Sequence, residues 1–156
     1  VARDEAGVIC GAVRIKLASN GWELPEAFQP APWQWVAPEH IAHVSRLMVE
    51  KSKHGSVLTA LLCKASYQWG LVNRVYLYVI FCAPGLVSMF KRNGYLQFQD
   101  VYICQYAGKQ APMCLYLHNL EYFERIKSPV YEWATGYPIS EPDSGLVNLM
   151  EKFLAS

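Results

Sequence analysis

Val75-Tyr76-Leu77-Tyr78-Val79-Ile80-Phe81 is a run of apolar and aromatic residues with no polar alternation. A strand covered on both faces reads this way, and the expected strand extends from Arg74 to Cys82. Upstream, Val57, Leu58, Leu61, Leu62 and Ala65 share one face at helical spacing. With Ser56 as N-cap and Gly70 as stop, they predict an amphipathic helix over Val57 to Trp69. Ile41 to Val49 alternates loosely and reads as a strand. Strand, helix and strand in succession make a β-α-β unit, hence a parallel strand pair.

Around this unit, Val1 to Leu17 reads as a hairpin, with turn chemistry at Asp4-Glu5-Ala6-Gly7 and a strand from Val8 to Ile15. Asn20 to Glu39 holds Pro25, Pro30, Pro32 and Pro38 with Trp22, Phe28, Trp33 and Trp35. So long a loop in a compact domain is usually functional, the alternative being that its aromatics cap the core. Pro84 suits the first turn of a second helix that ends at Asn93-Gly94. Tyr95 to Tyr106 and Met113 to His118 read as strands joined by a turn at Ala107 to Gln110. Asn119 to Ile126 reads as helix, Pro129 to Asp143 as irregular, and Leu146 to Leu154 as a short amphipathic helix. The expected class is α/β (α+β) with a mixed sheet.

The 156 residues are 53% hydrophobic, 13% aromatic and only 17% charged, against about 25% charged in an average domain. Disorder is excluded. The longest uncharged run, Val75 to Phe90, is broken by Pro84-Gly85 and is shorter than the roughly 18 to 20 apolar residues of a membrane span. The apolar surplus calls for an oily ligand, a partner, or a part of the fold that is missing. Five scattered cysteines without a Cys-x-x-Cys pair read as buried hydrophobes in a reducing, cytoplasmic compartment. Neither they nor the four histidines show metal-ligand spacing. Between Arg46 and Arg92, seven Lys or Arg stand against one acid, Glu50. That basic centre suits a phosphate-bearing molecule or an acidic protein and is too sparse for a nucleic-acid stripe.

The loop Glu50-Lys51-Ser52-Lys53-His54-Gly55-Ser56 precedes the first helix, where backbone N–H groups and the helix dipole favour anions. It matches neither a Walker loop nor a dinucleotide fingerprint. Taken with the Asp4-to-Gly7 turn, Gly11-x-x-Arg14, Leu24-Pro25, Ser45-Arg46-Leu47-Met48-Val49 and Phe90-x-x-x-Gly94-Tyr95, it resembles the GCN5-related N-acyltransferase (GNAT) fold. Within that fold it is most similar to the branch of acyl-homoserine-lactone autoinducer synthases and long-chain N-acyl amino acid synthases. The resemblance covers about residues 1 to 118. In this fold a first strand and one or two helices precede the hairpin, so a single acyltransferase domain over residues 1–156, N-terminally incomplete, is expected.

The resemblance implies acyl transfer from a thioester to an amine in the cleft where the strands Ile41–Val49 and Arg74–Cys82 splay apart. It assigns the oxyanion donor to a backbone N–H among Leu47, Met48 and Val49, and phosphopantetheine or carrier binding to Lys51, Lys53, His54, Gly55 and Ser56. His43 stands where related autoinducer synthases have a glutamate, and imidazole can still act as base near neutral pH. A strand histidine bonded to a neighbour is the alternative. Ser45 is implied as a ligand to pantetheine or intermediate, and Arg14 and Arg46 as supports of loop and sheet. Candidates for an acyl channel are Trp33, Trp35, Tyr76, Tyr78, Phe81, Met89, Phe90 and Tyr95, each alternatively core.

The Arg/Gln-x-x-Gly-x-Gly/Ala loop of coenzyme A users finds no alignment on Gly55. This favours acyl carrier protein as donor, its acidic surface meeting Lys51, Lys53, Lys64, Lys91 and Arg92. The expected function is thus N-acyl transfer, with a long fatty chain, from carrier protein to an amino acid or related small amine, yielding a signalling lipid of the kind bacteria make. The acyl-phosphopantetheine thioester is co-substrate, and no metal or resident cofactor is expected. The rivals are an autoinducer synthase, a coenzyme A dependent acetyltransferase, and a non-catalytic acyl- or carrier-binding module.

Overall fold

A computed structural model describes residues 1–53 and 57–156. His54, Gly55 and Ser56, including the expected N-cap, lie outside the described residues. The strands are β1 (Ala2–Arg3), β2 (Ile9–Leu17), β3 (Ile41–Val49), β4 (Leu77–Cys82), β5 (Leu96–Gln97), β6 (Tyr102–Cys104) and β7 (Gly108–Tyr116). The helices are α1 (Leu58–Val72), α2 (Val87–Arg92), α3 (Leu120–Arg125), α4 (Pro129–Trp133) and α5 (Ser144–Ala155). The sheet runs β1-β2-β3-β4-β7-β5, with β6 beside β7. β3 and β4 are parallel and the other pairs antiparallel, so the mixed sheet and its β-α-β unit are as expected.

The hairpin turn forms because Asp4 Oδ1 accepts from the Ala6 and Val8 amides at 3.0 and 2.9 Å. α1 does not stop at Gly70. It continues to Val72, and glycine sits inside it because a Cβ there would collide with the Tyr78 hydroxyl and Leu117. Its true end is a Schellman cap. Arg74 turns left-handed at φ 56°, Val75 N–H donates to Gly70 C=O at 2.9 Å and Arg74 N–H to Leu71 C=O at 3.2 Å. Because Arg74 and Val75 are spent on this cap, β4 starts at Leu77 rather than at Arg74.

Three other expectations are corrected. Tyr95 to Tyr106 is not one strand: Leu96 and Gln97 pair with Cys114 and Met113, and pairing resumes at Tyr102 with Gln110. The segment between carries more residues than β7 has opposite it, so it leaves the ladder. The next turn is at residues 105–107 and Gly108 to Gln110 already belong to β7, so the ladder claims most of the predicted turn. Within 129–143, Pro129–Trp133 is helical because Ser128 Oγ accepts from Val130 N–H at 3.2 Å and Pro129 suits the first turn.

The core joins the sheet to α1 and, through Leu146, Leu149 and Met150, to α5, and two buried tyrosines pin it to α1. Tyr67 OH donates to Leu117 C=O at 2.7 Å, and Tyr78 OH to Ser66 C=O at 2.6 Å. Each hydroxyl thereby escapes the roughly 1–3 kcal/mol cost of an unsatisfied buried group. The long loop also contributes: Phe28 and Trp33 are buried in the core, as the capping alternative requires.

Candidate functional site

The parallel ladder between β3 and β4 holds for three pairs, Ile41–Leu77, Ala42–Tyr78 and His43–Val79. From there the strands part. Val44 to Val49 stay with β2, while Ile80 to Cys82 stay with β7. The wedge opens onto a cavity of about 240 Å³. Val44, Ser45 and Leu47 line one side of it and Ile80, Phe81 and Cys82 the other. Cys63, Ser66 and Tyr67 of α1, Phe90 and Asn93 at α2, and Val130 and Trp133 at α4 complete the wall.

The β2–β3 register slips beside this wedge. Arg14 faces Ser45 but Ala12 faces Met48, so Arg46 and Leu47 together oppose Val13. This is a β-bulge, and Arg46 carries its strain with φ 53°. A bulge takes a residue's backbone out of the ladder and re-aims it, here on the cavity wall, since Arg46 and Leu47 both line it. Met48 and Val49 are back in register with Ala12 and Gly11, and the Met48 side chain is 58% exposed. Of the three candidates for the oxyanion donor, only Leu47 therefore adjoins both bulge and cavity.

His43, the last residue of the parallel ladder, sits next to the wedge but does not line the cavity. Its ring stacks on Trp22 at 4.9 Å and meets Phe81 edge-on at 5.8 Å. Burial first, and then the charges of Arg14 and Lys16, push its pKa down to about 4. Its Nδ1 is buried without a hydrogen-bond partner among the described residues. Ser45 lines the cavity, and its Oγ accepts from Arg14 Nε at 3.1 Å. Arg46 is exposed on the bulge.

Lys51 and Lys53 fall in a short 3-10 turn directly after β3, near the mouth of the wedge in sequence. Of the channel candidates, Phe81, Phe90 and Tyr95 line the cavity. Trp33 is instead buried edge-on against Phe98 at 4.8 Å, Trp35 is 54% exposed, and Tyr78 is 1% exposed and tied to α1. The wall residues that sequence reasoning missed are those of α1 and α4, because apolar residues on the inner face of a helix read as ordinary core. Cys63 is one of them, and burial pushes its thiol up to about 11, so it is no nucleophile near neutral pH. Among the described residues no three His, Cys, Asp or Glu side chains gather to hold a metal ion. No described helix is long and apolar enough to cross a membrane.

The cleft between splayed parallel strands, bulged on one side and lined largely by apolar residues, belongs to a fold that the chain shares with solved structures. The chain is similar to FeeM, an N-acyl amino acid synthase from uncultured soil microbes, at TM-score 0.64 and 16% identity over 74% of this chain and 70% of that one. It is similar to the acyl-homoserine-lactone synthase LasI at TM-score 0.60 and 20% identity, covering 90% of this chain and 70% of that one. A proposed N-acetyltransferase from Lactobacillus plantarum aligns at TM-score 0.52 and 13% identity over 69% of this chain, which spans 60% of its length. No protein-family model and no curated protein matches the chain. The chain has the GCN5-related N-acyltransferase fold.

Proposed function

We propose that the protein is an N-acyltransferase that moves an acyl group from a phosphopantetheine thioester to the amine of an amino acid or a related anionic small molecule. The observation that carries this reading is the wedge beyond His43–Val79, with the Arg46–Leu47 bulge on its wall and an apolar cavity beneath it. The amine attacks the thioester carbonyl, a C–N bond forms, the C–S bond breaks, and the thiol leaves. A backbone N–H at the bulge, in the region of Leu47, stabilises the oxyanion. His43 accepts the proton that the amine nitrogen sheds as it bonds to the carbonyl carbon, and the resulting imidazolium returns it to the leaving thiolate. Ser45, held by Arg14, contacts the thioester end of the donor.

The charge around His43 favours an anionic acceptor. Arg14 and Lys16 depress its pKa, and a carboxylate bound beside them cancels that field and makes the imidazole a better base once substrate is in place. The same field repels a sulfonium acceptor, which weighs against the autoinducer-synthase alternative. The basic residues Lys51, Lys64, Lys91 and Arg92 are exposed and suit the acidic surface of an acyl carrier protein. Val44, Leu47, Ile80, Phe81 and Phe90 on the cavity wall suit a fatty acyl chain.

Thiol release from acyl carrier protein and from coenzyme A, each with a panel of amines, tests the reading. Carrier-dependent release with amino acids, reduced by charge reversal at Lys64, Lys91 and Arg92, is expected. Equal rates from both donors, unaffected by those reversals, overturn the carrier assignment. Thioester binding without release with any amine marks a non-catalytic binding module.

A further inference from the structure

A catalytic imidazole is usually held in place by a hydrogen bond to its second nitrogen. His43 lacks such an orienter, since its Nδ1 is buried without a partner among the described residues. What touches the ring instead is aromatic. The Trp22 indole lies flat on it, with centroids 4.9 Å and planes 18° apart, and Phe81 closes from the side at 5.8 Å and 64°. Phe81 belongs to β4, whereas Trp22 comes from the proline-rich loop, and the chain just before it sets its place. The 3-10 turn Ala18–Asn20 ends at Gly21, which turns left-handed at φ 76°. Lys16, opposite His43 in the β2–β3 ladder, donates from Nζ to Gly21 C=O at 3.2 Å. The loop is thus fastened, one residue before the indole, to the rung that carries His43.

The stack has two physical consequences. It restrains the imidazole about its terminal torsion, which has only broad preferences of its own, because turning would drive the ring into the indole. It also keeps water off one face. The indole face attracts a cation, yet the ring is held neutral, so burial and the charges of Arg14 and Lys16 outweigh that attraction. Those two β2 cations are the charged groups that act on the ring, while β4 and the loop meet it with Phe81 and Trp22. We propose that Trp22 is a positioning residue for acyl transfer: stacked on His43, it fixes the imidazole in one orientation and shields it from water, a task that a hydrogen-bonded carboxylate performs in other active sites. It acts through His43 rather than on the reacting atoms. The proposal rests on the N-acyltransferase reading for the reaction that His43 serves, and adds to it a residue outside the cavity wall.

The test compares Trp22→Leu, which keeps an apolar side chain but removes the flat face, with Trp22→Phe, which restores a ring. NMR follows the His43 ring protons, and thiol release from a fatty acyl carrier protein thioester with a mixture of the common amino acids gives kcat and KM. In the wild type the indole should shift the ring protons upfield. In Trp22→Leu that shift should vanish and the titration midpoint should rise from about 4 toward 6.5. Its kcat should fall by about tenfold or more at an unchanged KM for the thioester. Trp22→Phe should keep the low midpoint and most of kcat. Trp22 is half-buried in a loop, so both variants should fold, and melting temperatures check this. A kcat that falls in step with melting temperature in both variants makes Trp22 merely structural and overturns the proposal. An unmoved midpoint or a full kcat in Trp22→Leu overturns it as well. Absence of amide formation in the wild type itself removes the acyltransferase reading and this role with it, whereas the outcomes above remove the role alone.

Discussion

Arg14 Nε donates to Ser45 Oγ at 3.1 Å across the β2–β3 ladder, and this pair is the last in register before the bulge at Arg46 and Leu47. The same guanidinium is one of two cations that depress His43. One residue thus orients a hydroxyl on the cavity wall and sets the basicity of the imidazole next to it. Replacing it by methionine should raise the His43 pKa from about 4 toward its ordinary value and loosen Ser45. An NMR titration of the His43 ring in Arg14→Met reads the first effect directly, and an unmoved midpoint contradicts it.

His43 also makes stability depend on pH. Its folded pKa of about 4 lies below the ordinary 6.5, so between those values the unfolded chain binds more protons and stability rises with pH. The contribution is fully present above pH 6.5 and is lost as pH falls to about 4. Urea midpoints measured from pH 7 to pH 4 should fall more steeply for the wild type than for His43→Phe. Parallel curves speak against a depressed histidine.

Gly70 lies where α1 touches the sheet, and Gly70→Ala sets two effects against each other. Alanine is a better helix former by about 1 kcal/mol. Its Cβ would collide with the Tyr78 hydroxyl that holds Ser66 C=O, and with Leu117. Overpacking costs about 1–3 kcal/mol, and losing the Tyr78 hydrogen bond adds to it. The substitution should lower the melting temperature by several degrees, whereas a rise would show that the helix moves away freely.

The β-α-β unit was legible because its parts announce themselves by period: Ile41 to Val49 is a strand at the expected bounds, and α1 and β4 follow. The errors lie where tertiary contact decided the outcome. Gly70 looks like a stop in isolation but is a close approach to Tyr78, and the real cap uses Arg74 in a conformation its side chain does not advertise. Likewise Pro129–Trp133 was hidden among turn residues although Ser128 and Pro129 are a helix start. The cleft itself was placed by resemblance. The bulge was not, since nothing in Ser45-Arg46-Leu47 marks an extra residue until β2 is laid beside it. Trp33 and Trp35 were drawn toward the channel by composition, which cannot tell a core cap or a surface ring from a lining residue.

The central claim is amide formation in the wedge beyond His43–Val79. Its most direct measurement follows free thiol and product mass together when fatty acyl carrier protein thioesters of graded chain length meet the protein and an amino acid. The account predicts thiol and N-acyl amino acid in equal amounts, both dependent on protein and acceptor. Thiol without amide, or neither product with any amine while the thioester still binds, contradicts it.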